Sequence, residues 1–137
     1  MVSLRTILTS ALAAISPLAS AYITNVAAPE SAKAGSTVAA TLTASIYIQN
    51  WNDYGIIWGL APASVNCADV VCVGQQIAYT SLYPDHEPQP GTFTVDVQVP
   101  ATMAAGDYQL IAAIPYLVGA SGEVGIQGHA ANITITA

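Results

Sequence analysis

Basic residues are almost absent. Arg5 and Lys33 are the only two in 137 residues, against eight acidic ones, and the formal charge is -6. A surface with so few cations cannot neutralise a run of phosphates, which excludes nucleic-acid binding through the backbone. Attachment to an anionic membrane surface fails for the same reason. Charge of either sign is scarce, at 7% of residues against roughly a quarter in an ordinary soluble protein. No lysine follows a glycine-rich turn, so a Walker-type phosphate loop is excluded too. Hydrophobic residues make up 53%, too many for a disordered chain, and the length suits one domain.

No apolar stretch reaches the roughly 20 residues of a transmembrane helix. The N-terminus instead has the three-part order of a secretory leader. Arg5 comes first, Ile7 to Leu18 form a mostly apolar run, and Ala19-Ser20-Ala21 supplies a small-x-small cleavage pattern. The expectation is a signal peptide over 1–21 and a single extracellular domain over 22–137, with Lys33 its only base. The chain closes on Ile135-Thr136-Ala137 without the apolar tail of a glycosylphosphatidylinositol signal, so no membrane anchor is expected.

A helical period is missing from the rest of the chain, and a period of two is present. Val38, Ala40, Leu42, Ala44, Ile46 and Ile48 alternate with polar or small residues, the pattern of a strand with one face on a core. Phe93, Val95, Val97 and Val99 repeat it. Turn signals place strands near 22–28, 37–48, 54–60, 73–82, 92–99, 107–115 and 123–136. About seven strands without helical crossovers match an all-β, immunoglobulin-like Greek-key β-sandwich, with a small β-barrel as the alternative. Gly106-Asp107-Tyr108 resembles the tyrosine corner of that architecture, and Trp58 its core tryptophan. Val38, Leu42, Ile46, Phe93, Val95, Val97 and Leu110 are the expected core. In 123–136, Val124 and Ile126 have the opposite parity to Ile133 and Ile135. A β-bulge at Gly128-His129 would put both pairs on one face, two separate short strands being the other solution.

Only two cysteines are present, Cys67 and Cys72. In a secreted chain a pair this close reads as a disulfide. Zinc would need two further ligands, and His86 and His129 are the only histidines, so neither a metal nor any other cofactor is expected. Asp85-His86-Glu87 is the densest ionisable cluster. Neighbours on an extended chain point in opposite directions, which makes them a poor general-base dyad. Ser121 sits in Gly119-Ala120-Ser121-Gly122, a turn without the spacing of a nucleophile elbow. No catalytic set assembles, and the expectation is a binding protein. The candidate contacts are Trp51, Asn52, Asp53 and Tyr54 in one loop and Asp85, His86 and Glu87 in another. Trp51 is either an exposed anchor or a ring folded back onto the core. Asn132-Ile133-Thr134 is a glycosylation sequon, with Asn132 on the polar face of the last strand.

Several stretches resemble one family. Tyr22-Ile23-Thr24, Lys33-Ala34-Gly35-Ser36-Thr37, Tyr47-Ile48-Gln49-Asn50, Ile56-Ile57-Trp58-Gly59-Leu60-Ala61-Pro62, Ala105-Gly106-Asp107-Tyr108-Gln109-Leu110 and Ala131-Asn132-Ile133-Thr134-Ile135-Thr136 are similar to the necrosis-inducing secreted proteins of fungi. The short cysteine loop is not placed in that pattern. A monomer is expected, and the resemblance implies a secreted effector that causes cell death in plants and dampens pattern-triggered immunity. Its implied partners are host plant receptor-associated kinases, with action on or inside the host cell, and no catalytic residues carry over. Two other readings stand beside it: a carbohydrate- or cell-wall-binding module stacking sugars on Trp51, Tyr54 or Tyr116, and a weak hydrolase centred on His86.

Overall fold

Residues 20–137 are described by the computed structural model; nearly all of the expected leader lies outside them. Alternating patterns become strands. β1 spans Ser20–Ala27, β2 Ser31–Lys33, β3 Thr37–Tyr47, β4 Trp51–Asp53, β5 Gly55–Pro62, β6 Gln75–Ser81, β7 Gly91–Gln98, β8 Gly106–Val118 and β9 Glu123–Thr136. The described chain contains no helix. The expected cleavage point after Ala21 falls two residues inside β1, where Ala21 is buried and paired with Ile46.

One sheet has the order β1-β3-β7 and the other β2-β9-β8-β5-β6, with β4 paired to β8. Two separate sheets make a sandwich and not a closed barrel. The described residues form nine strands and not about seven, because β2 and β4, three residues each, lie below what alternation can reveal. Pro29 has no N–H to donate, so β1 stops short of it. The chain then crosses to the other sheet, where β2 runs parallel to the end of β9. This switch of the first strand between sheets, with β3 and β7 opposite β5, β8 and β9, is immunoglobulin-like topology.

Ile23, Leu42, Ile56, Trp58, Leu60, Leu110, Ile114 and Ile135 fill the space between the sheets. Trp58 is fully buried and its Nε1–H donates to Thr80 Oγ1 at 3.0 Å. Tyr108 Oη–H donates to the Ala104 carbonyl at 2.8 Å, closing the tyrosine corner. Val38, Val97 and Leu110 are buried as expected, while Phe93 and Val95 pack half-buried against the core. Ile46 is a correction: it is 63% exposed, because the core ends between it and Ala44.

The bulge expected in β9 is a second correction. β9 pairs with β8 without a shift from Glu123 to Ile135. Its parity conflict is settled by leaving Val124 and Ile126 outside while Ile133 and Ile135 are buried. A shift occurs instead in β1, between Ile23 and Asn25. There it allows Ile23 and Val26, of opposite parity, both to face the core.

Candidate functional site

β4 is short, but it determines what the first candidate loop can offer. Pairing with Tyr116, Leu117 and Val118 of β8 turns Trp51 and Asp53 inward and Asn52 the other way. Trp51 stacks on Tyr116 with centroids 4.4 Å apart, and Tyr22 and Tyr47 lie against it at 4.8 and 4.9 Å. At 8% exposure Trp51 is therefore no free anchor. The ring folds back, and both it and Tyr116 are committed to each other instead of to a sugar.

Asp53 is 1% exposed. One carboxylate oxygen accepts from the Ile23 N–H at 2.8 Å and the other from Trp51 Nε1–H at 2.7 Å. Ile23 belongs to β1, whose outer edge has no strand partner among the described residues. The carboxylate thus takes the place of a neighbouring strand at that point. Burial raises the Asp53 pKa above its ordinary 3.8, opposed by the two hydrogen bonds and by the charge of His129. His129, on the inward face of β9, has its pKa lowered by burial, opposed by a hydrogen bond with the Ile23 backbone and by Asp53. His129 Nε2 and Gln127 Oε1 are buried without a hydrogen-bond partner.

The two candidate loops meet. Asn52 Nδ2 donates to Glu87 Oε1 at 2.6 Å. The Tyr54 carbonyl accepts from the N–H groups of both Leu82 and Tyr83. Tyr54 and Tyr83, each partly exposed, pack with centroids 4.5 Å apart. His86 N–H donates to the Leu82 carbonyl at 2.7 Å, closing a turn that holds Asp85, His86 and Glu87 in solvent. This end of the sandwich therefore combines an aromatic pair, an amide and two carboxylates. Lys33, the only Lys or Arg among the described residues, lies at the other end, where β2 meets the last residues of β9. Sequence reasoning missed Tyr83, the partner of Tyr54, since an isolated tyrosine before a proline carries no periodic signal.

Cys67 and Cys72 form the expected disulfide. Their loop folds over the outside of the larger sheet, and Val71 occupies the space that a side chain at Gly128 would fill. Asn132 is exposed, with its side chain on the outer face of β9.

These features define an immunoglobulin-like β-sandwich that presents its polar chemistry in loops at one end. Within that class the chain belongs to the Nis1 family, whose model matches residues 19–134. It is 32% identical over 127 residues to necrosis-inducing secreted protein 1 of Colletotrichum higginsianum, covering 93% of this chain and 85% of that protein. It is 31% identical over 126 residues to the protein of the same name from Colletotrichum orbiculare, covering 92% and 75%. Among solved structures it is similar to the major subunit of aggregative adherence fimbriae type I from Escherichia coli, at 15% identity and a TM-score of 0.43, covering 85% of this chain and 95% of that one. A cohesin module of a Clostridium perfringens glycoside hydrolase gives 14% and 0.36, covering 86% and 98%.

Proposed function

We propose that the protein is a secreted fungal effector that induces necrosis and suppresses pattern-triggered immunity in a plant host. It acts without catalysis, by binding the cytoplasmic domain of a host receptor-associated kinase, and so works inside the host cell. The names of its relatives support the effector reading. The observation that carries the binding site is the Asn52–Glu87 hydrogen bond, which joins the two candidate loops into one surface with Tyr54, Tyr83, Asp85 and His86. An acidic surface of this kind favours a basic patch on the partner, with association faster at low salt.

Tyr54→Ala is the informative variant, because Trp51→Ala would disturb the fold. An aromatic anchor contributes about 2 kcal/mol or more, so affinity should fall roughly thirtyfold. The measurement is binding of folded wild-type and Tyr54→Ala protein to receptor-kinase cytoplasmic domains, with cell death and oxidative burst scored in infiltrated leaves. No binding by wild type together with an unchanged leaf response overturns the proposal. Retention on plant polysaccharides that depends on Tyr54 would then favour the carbohydrate-binding module.

A further inference from the structure

The outer edge of β9 is paired only at its end, where Thr134 to Thr136 meet β2. Thr134 N–H donates across that edge to the Glu30 carbonyl, and the Thr136 carbonyl accepts from Ala34 N–H. Strand geometry makes main-chain direction alternate, so the N–H and C=O groups of Val124, Ile126, Gly128 and Ala130 point the same way. No strand pairs with them among the described residues. Exposed edges are usually blunted by charge, proline or a bulge. From Val124 to Ile133 this one has no Lys, Arg, Asp or Glu, no proline and no bulge, and its one titratable residue, His129, faces inward.

The outer face beside this edge is shaped. Three hollows lie on the outer sheet face over β9, of about 500 Å³ at Ile126, 230 Å³ at Gly128 and Ala130 reaching across to Gln109 and Ile111 of β8, and 370 Å³ at Asn132 and Thr134 reaching Asp107 and Tyr108. Together they follow about 27 Å of strand. The disulfide-held loop makes one wall, with Val70 at 68% exposure and Val71 at 39%, opposite Ile126 at 56%. The acidic side chains lining the hollows are Asp69, Glu30 and Asp107, with no Lys or Arg and with His129 the one titratable base.

We propose that the free edge of β9 docks an extended segment of a partner protein as an added strand. Main-chain hydrogen bonds to Val124, Ile126, Gly128 and Ala130 would supply affinity. Side chains at alternate positions would meet Ile126, Val70 and Val71, so the segment carries branched apolar residues at every second position. Carboxylates without a lining cation select a segment with lysine or arginine at its flanks. Its Ile126 end lies across β8 from Tyr54, since Tyr54 N–H donates to the Pro115 carbonyl and Pro115 pairs with Ile126, but the proposal does not rest on the kinase reading.

The test titrates the isotopically labelled secreted protein with a peptide of four Thr-Val repeats bearing a lysine at each end. Amide shifts and slowed hydrogen exchange are expected at Val124, Ile126, Gly128 and Ala130. Ile126→Pro removes one edge donor and leaves the ladder to β8 intact. It should weaken binding roughly three- to tenfold. Ile126→Lys, which places like charge against the peptide, provides the same readout if the proline variant fails to fold. Absent shifts, or shifts confined to β6 or β7, overturn the proposal. Equal affinity for a peptide with aspartate at each end overturns the charge selection. Concentration-dependent dimerisation that excludes the peptide assigns the edge to a second copy instead, and overturns it as well.

Discussion

The outer edges of β1 and of the part of β9 beyond β2, on one side of the sandwich, have been treated in opposite ways. β1 is irregular, with its register shift between Ile23 and Asn25, and a side chain from another strand caps its Ile23 N–H. β9 is regular over its pairing with β8 and, among the described residues, has no strand paired along most of its outer edge. The first edge carries the devices that discourage further pairing, and the second has none of them. A chain with so little charge has few residues to spend on protecting edges, and it has spent Asp53 on β1.

The largest effect that would break this contrast is Asp53→Ala. It strands the Ile23 N–H and the Trp51 Nε1–H in the interior, at a cost of about 3 kcal/mol. Thermal melting should shift down by roughly 10 °C for a domain of this size. Ile23→Thr should follow at about 2 kcal/mol, since it puts a hydroxyl where Ile23 is fully buried. Removing the bridge with Cys67→Ser and Cys72→Ser together should cost about 2 kcal/mol without abolishing the fold, as measured by urea denaturation.

The pH dependence sharpens the comparison further. A histidine whose folded pKa is lowered binds fewer protons folded than unfolded, so stability rises with pH up to its unfolded value. His129 should therefore destabilise the protein as pH falls through 6.5. Asp53 has the opposite sign. Its raised folded pKa means that stability falls as pH rises from 3.8 to the folded value, then levels off. Denaturation midpoints between pH 7.5 and 5 should fall in wild type and stay flatter in His129→Gln. The smallest effect is expected at the bare edge. Ile126→Thr should change stability by no more than about 0.5 kcal/mol, against the larger loss for the same exchange at Ile23.

Much of the architecture could be read from alternation alone. The strand limits of 123–136 match β9, and Trp58, Tyr108 and the Cys67–Cys72 pair take the places expected of them. What escaped was set by partners distant in sequence. Trp51 looks like a loop residue because Asn50, Asn52 and Asp53 surround it, and only pairing with β8 makes it part of an aromatic cluster. The parity conflict in β9 marked no irregularity, since exposure of Val124 and Ile126 settles it, and Ile23 and Val26 are too close together to reveal that β1 is the strand that shifts. Val124 and Ile126 looked like core because apolar residues in a strand usually face one. The meeting of Asn52 with Glu87 spans 35 positions, and no local pattern reports it.

Lys33 has a consequence for survival outside the cell. Endoproteases that cut after basic residues find one such residue in the described chain. The bond they would cleave, Lys33–Ala34, follows directly on β2, and the Ala34 N–H is held by the Thr136 carbonyl at 2.9 Å. A protease must take up its substrate in an extended, freely accessible form, so this bond has to leave the sheet before it can be cut. The scarcity of cations that rules out phosphate binding thus also leaves trypsin-like enzymes a single, restrained target among the described residues.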